Sequence, residues 1–213
     1  FSNIFHESIT FWGRLLISAA TVAIIWLAVF TYKSKSILTT ERVTIFNAEN
    51  NHHVYAEYGD LFANNGSSKN VVITANRCFD TIVDNDLISE TTIHGLAINK
   101  ICTNGYTPEM LNDALQKNLS DRHIEPVCVL STQDKRKGNL SRYPVGTIAE
   151  FKKSDTDNIS YFFVGMSAFN SNLHPETTEK DYAVTVQSVI EYCNSRSQRF
   201  PVYMPIIGTN GLS

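Results

Sequence analysis

The polar residues best placed for chemistry are Asn76, Arg77, Asp80 and Asp84, which follow directly on the apolar run Val71 to Thr74 in NVVITANRCFDTIVDND. A buried strand that breaks into amide, guanidinium and carboxylate groups is where open α/β sheets receive ligands, because backbone groups leaving the sheet have no partners of their own. A second apolar run, in PVYMPIIGTNGLS, leads into Gly208, Thr209, Asn210, Gly211 and Leu212. The NH groups of such a loop can surround a phosphate. Neither stretch carries a serine triad or a metal cluster. His52 and His53 are adjacent, so on a strand they point to opposite faces, and with no third ligand nearby they read as a hairpin tip.

These residues need a scaffold. At 213 residues, 43% hydrophobic and 18% charged, the chain can bury one ordinary core plus an appendage. A net charge of −3 gives no support for a nucleic-acid-binding face. The appendage is expected at residues 11–32, an apolar stretch whose one charge is Arg14. As a helix it would reach roughly 33 Å, enough to cross a bilayer core of about 30 Å. We therefore expect a membrane segment over 1–36 and a ligand-binding domain over 37–213. Lys33, Lys35 and Arg42 follow the span against Arg14 before it, which places the C-terminal domain in the cytoplasm.

Within that domain the pattern predicts two short strands over 41–57 around a polar turn, then the strand ending at Asn76. Helices are expected over 96–101, over 107–119 with Met110, Leu111, Ala114 and Leu115 on one side, and over 174–194 with Tyr182, Val186, Val189, Ile190 and Cys193 inward. Residues 161–169 read as a central strand whose end lies beside Asn76, and 202–207 as a further buried strand. Residues 134–142, DKRKGNLSR, read as a cationic turn that is either a solvated hairpin or a contact for anionic lipid. The four cysteines, Cys78, Cys102, Cys128 and Cys193, lack CxxC pairing and are expected to be reduced.

Gly59-Asp60-Leu61, a strand ending in Asn76, and a late strand ending in a GTxG-type loop stand in the order that resembles the macro domain, the ADP-ribose-binding fold. More narrowly, NRCFDTIVDNDLIS, HG, YPVGTIAEF, YFFVGMSAFN and PVYMPIIGTNGLS together resemble the macro-domain form of the ThsA effectors of Thoeris antiphage defence. The resemblance implies a three-layer α/β/α fold with a mixed central sheet, preceded by a transmembrane α-helix. It also implies another helix, a strand and a final helix after residue 213, and a second membrane helix before residue 1.

For the site, the resemblance implies that Asp60 accepts from the adenine amino group, although Asp60 can equally cap a helical turn over 61–63. It puts Asn76 on the distal ribose, with Phe79 and Asp80 in a loop over it, and the His94-Gly95 turn on the diphosphate ahead of a helix. Gly208 to Leu212 form the second phosphate loop. Arg77 either neutralises a phosphate or pairs locally with Asp80. A run of glycines before the helix is replaced by Thr92-Ile93-His94-Gly95, which argues against hydrolysis. The implied function is a bacterial inner-membrane sensor that needs no cofactor. It would bind an ADP-ribose-derived signal made by a TIR-domain protein, form a homo-oligomer and disturb the lipid bilayer. An ADP-ribosyl hydrolase using Asn76 or Asp80, and an anchored interaction module with a degenerate pocket, are the alternatives. The loop over 79–89 is the expected closing element.

Overall fold

The computed structural model describes residues 2–39, 42–47 and 53–208. The chain divides into two compact units, with the boundary between Asp60 and Leu61. The first begins with helix α1 (Ser2–Thr39), which extends past both expected ends. No glycine or proline interrupts KSKSILT, and Lys and Leu are good helix formers, so nothing stops the helix after Tyr32. Leu15–Tyr32 is long and apolar enough to cross a membrane. Its hydroxyls fit that reading: Thr21 Oγ1 donates to Ile17 O at 2.7 Å and Thr31 Oγ1 to Ala28 O at 3.0 Å, so neither needs water.

Strands β1 (Arg42–Asn47) and β2 (His53–Glu57) follow as an antiparallel hairpin in the register Arg42 to Glu57, closed by a 2.6 Å ion pair between those residues. The His53 ring is hydrogen-bonded to the Asn47 side chain, and His52 lies outside the described residues.

In the second unit the main sheet is built on β3 (Lys69–Asn76) and β7 (Ile159–Phe169), which run parallel from Lys69 opposite Ile159 to Asn76 opposite Ser167. Both are nearly continuous β-branched and aromatic runs, as strands covered on both faces must be. β6 (Ile148–Phe151) lies antiparallel on the outer side of β7, and β9 (Val202–Tyr203) lies parallel to β3, giving the order β6-β7-β3-β9. β8 (Pro175–Glu176) pairs with the end of β7, and β4 (Cys128–Val129) with β5 (Ser141–Arg142).

Alternate residues divide the core. Val71, Ile73, Tyr161 and Phe163 meet α2 (Ile93–Ile101) and α3 (Pro108–Asp121) through Ala97, Ile98, Leu111 and Leu115. Val72, Phe162 and Val164 meet α4 (Glu179–Arg196) through Val189, Tyr192 and Cys193. The result is three layers, α/β/α, around a mixed sheet. The four cysteines are free, as expected, with Cys128 exposed.

Several elements differ from expectation for local reasons. α3 has the expected Thr107 cap and Pro108 start, but it buries one row, Leu111, Leu115 and Leu119, and leaves Met110 half exposed. α4 begins later than residue 174, because Pro175 joins β8 and Thr178 forms a reciprocal capping box with Asp181. It turns Thr185 and Val189 inward and leaves Tyr182 and Ile190 outward. The Thr185 hydroxyl is tolerated in the core because it donates to Asp181 O at 2.8 Å. The strand expected over 202–207 is cut to Val202–Tyr203 at the sheet edge, with Ile206 80% exposed. Pro205, which cannot donate to a ladder, is the physical reason.

Candidate functional site

β3 and β7 end together, and the chain leaves β3 through Asn76. Its Oδ1 accepts from Cys78 N at 2.9 Å, turning the backbone out of the sheet, while Arg77 N donates to Ser167 O at 2.8 Å and holds the turn to the end of β7. Phe79 takes a left-handed φ of 53° that puts its ring wholly inside the core, edge-on to Tyr143 at 5.7 Å. Arg77 points back to Tyr143, with Nε donating to its carbonyl at 2.8 Å. Asn76 is buried, and its Nδ2 completes no hydrogen bond of normal geometry among the described residues, although the side chain faces the Asp80 carboxylate and helps to stabilise its charge. Arg142, whose Nη2 donates to Phe169 O at the end of β7, likewise has an unpartnered Nε. Buried donors left open cost free energy that a ligand oxygen would recover.

Asp80 is not paired with Arg77. Its Oδ2 lies 2.6 Å from Lys135 Nζ in a pair whose side chains are 1% and 0% exposed, and its Oδ1 accepts from Asn139 N at 2.6 Å. Lys135 Nζ also donates to Asn139 O at 2.7 Å, and the Asn139 amide reaches Cys78 O, Phe79 O and Asn112 Oδ1. Burial pushes the Asp80 carboxyl above its usual range, with Lys135 opposing. The cationic turn over 134–142 is therefore only in part the solvated hairpin expected: β4 and β5 close it and Arg136 is exposed, but its first cation is buried. Lys135 is a core residue, Arg136 pairs with Asp86 at 2.5 Å, and Lys137 pairs with Asp84. The hydrogen bond from Lys137, aided by Leu87 N, holds the Asp84 carboxyl down at about 2.

His94 and Gly95 lie inside α2, in its first turn, because Thr92 is the cap: its Oγ1 accepts from Gly95 N at 3.1 Å. A Cβ on Gly95 would stand 2.2 Å from Ser89 O, so the glycine admits the preceding loop. His94 is buried edge-on to Phe163, which is registered with Ile73 and so lies deeper than the strand end. Burial lowers its pKa to about 4. The folded state thus keeps a neutral imidazole while the unfolded chain takes a proton near 6.5, so stability falls as pH drops from about 6.5 to 4. The expected loss is about 3 kcal/mol. Urea titrations across that range should show it in the wild type and not in His94→Leu.

The strand-end turn thus gathers Asn76, Phe79 and Asp80, and α2 holds His94 and Gly95. Asp60 is exposed at the end of the first unit, followed by a turn at Leu61 and Phe62 that is not helical. Gly208 has a φ of 90° in a turn, and Thr209, Asn210, Gly211 and Leu212 lie outside the described residues. Lys135, Gly138 and Asn139 were not anticipated. The signal available was a match between the acidic series Asp80, Asp84, Asp86 and the basic series Lys135, Arg136, Lys137. A concavity of about 330 Å³ lies elsewhere, lined by Arg122, Thr147, Ser188 and Tyr192 between α3, β6 and α4.

A mixed sheet held between two helical layers, with its two parallel strands ending side by side, is an α/β architecture of the macro type. The chain belongs to the family described as Thoeris protein ThsA, Macro domain, whose family model matches residues 54–213. No curated protein matches the chain. Membership assigns the chain to antiphage defence, in a family of sensor-effectors rather than known hydrolases, and gives it a macro domain for ligand binding.

Proposed function

We propose that the chain is a membrane-anchored sensor whose macro domain binds an ADP-ribose-derived signal made by a TIR-domain protein. The observation that carries this reading is the buried Asn76 amide at the end of β3, whose Nδ2 lies beside the Asp80 carboxylate but completes no hydrogen bond of normal geometry. A ribose hydroxyl or phosphate oxygen would satisfy it. Arg142 Nε at the end of β7 offers a second open donor.

In this reading the domain acts by binding and does no chemistry. Asp80, the carboxylate a hydrolytic mechanism would use, already serves Lys135, Asn139 and, more weakly, the Asn76 side chain. Binding favours a self-associating state, clustering α1 helices in the bacterial inner membrane with the domain on the cytoplasmic side. The ligand can shift that equilibrium only by its differential affinity for the two states.

Calorimetric titration of the chain with ADP-ribose and base-exchanged derivatives tests the reading. We expect binding that Asn76→Ala weakens by about 10- to 100-fold, the loss of one or two hydrogen bonds from a buried donor. No binding by the wild type to any of them would withdraw it.

A further inference from the structure

The closing element expected over 79–89 is fastened from within and from outside. Leu87 and Ile88 are buried, Asp84 N and Asn85 N both donate to Ile88 O, and Asp84 Oδ1 accepts from Asp86 N and Leu87 N. Its two outward carboxylates, Asp84 and Asp86, are taken up by Lys137 and Arg136, with Lys137 also 3.9 Å from Asp86. The segment carrying those cations runs across the ends of both parallel strands. Asn139 bonds to Cys78 O, Phe79 O and Asp80 beyond β3, and Arg142 to Phe169 O on β7.

The three acid–base pairs are graded. Asp80 with Lys135 is sealed in the core, whereas the other two are partly exposed, and exposed pairs are weak enough to be exchanged. An arginine and a lysine side by side suit a phosphate better than a carboxylate, because guanidinium binds phosphate in a fork and the ammonium adds a point charge.

We propose that Arg136 and Lys137 are the phosphate-receiving residues of this site, held by Asp86 and Asp84 in the free protein and transferred to the ligand's phosphates on binding. Asp84 and Asp86 then act as built-in competitors for the ligand's charge. The inner pair, Asp80 with Lys135, stays closed and keeps the strand-end turn in place during the exchange. This rests on the reading that the strand ends receive a phosphate-bearing ligand.

The test is the affinity of the full chain for ADP-ribose, with inorganic pyrophosphate as a charge-only probe. Asp84→Asn with Asp86→Asn retains the side-chain acceptor that caps the 84–87 turn and frees both cations. It should bind several-fold tighter than wild type, with a steeper salt dependence. Arg136→Ala with Lys137→Ala should bind about tenfold more weakly. A purely structural clasp predicts the opposite sign for the first variant. Wild-type binding with the Asn pair unchanged or weaker overturns the exchange and leaves the functional reading standing. No wild-type binding to ADP-ribose or pyrophosphate overturns both.

Discussion

Lys135→Met is expected to cost the domain about 3–5 kcal/mol, enough to consume much of the 5–15 kcal/mol by which a domain of ordinary stability is folded. The methionine fills the stem's space, so the loss is electrostatic. Asp80 is left in the core without its counter-charge, with Asn139 N and, more weakly, the Asn76 side chain still turned to it. The effect carries a pH signature. Burial already raises the Asp80 carboxyl above its unfolded value, and removing the ammonium raises it further. A carboxyl with a raised folded pKa stabilises below the unfolded value of about 3.8, and that stability is lost as pH rises through the folded one. The deficit of the variant against wild type should therefore grow as pH rises above the unfolded carboxyl value in urea unfolding. Adding Asp80→Leu should recover most of it, because replacing both partners of a buried pair is often neutral. A single-variant loss below about 1 kcal/mol would show that the pair is not the anchor of the strand-end turn.

Gly138→Ala should be nearly as damaging through one added methyl group. Gly138 sits at φ 81°, where an L side chain costs about 1–2 kcal/mol. Its new Cβ would also stand 2.2 Å from Asp80 Oδ1 and 2.8 Å from Leu87 Cδ2, so the carboxylate must move off Lys135 or the 134–139 segment must lift. The expected total is about 3 kcal/mol by chemical denaturation. Gly105→Ala separates the two contributions: its φ is 83° but nothing lies within 4 Å, so it should show the backbone part alone. In an Asp80→Leu, Lys135→Met background the packing part of the Gly138 penalty should change, and strict additivity of the two changes would rule out their coupling.

The framework of the second unit was legible because its signals are local. Continuous apolar runs at β3 and β7 marked central strands, Thr107 with Pro108 marked a helix start, and the end of β7 was expected at the sheet edge of Asn76, which is registered with Ser167. The family was legible from motifs whose order, rather than any one of them, is specific. What escaped depends on partners distant in sequence. Lys135 reads as one more cation of a surface turn until Asp80, 55 residues away, is seen to meet it. His94 reads as part of a turn ahead of a helix because Ser89, Thr91 and Thr92 could each cap it and none is followed three residues later by Glu or Gln to complete a capping box. The inward face of α4 is legible only in part, Val189 and Cys193 but not Tyr182 or Ile190, because apolar residues stand on both sides of it and only the sheet beneath chooses between them.

The parallel pairing of β3 with β7 also sets a timetable for synthesis. Lys69 is registered with Ile159, so β3 leaves the ribosome about ninety residues before the neighbour that completes it. At the usual rate of about 5–20 residues per second, that is an interval of roughly 5 to 20 s. Throughout it Val71, Val72 and Ile73, fully buried once folded, have no ladder to join, although α2 and α3 emerge within the interval. Helix α1 needs no distant partner and forms from local contacts alone. The nascent chain therefore has its apolar helix ready long before its sensor, and whatever receives α1 must do so while the central strand is still waiting.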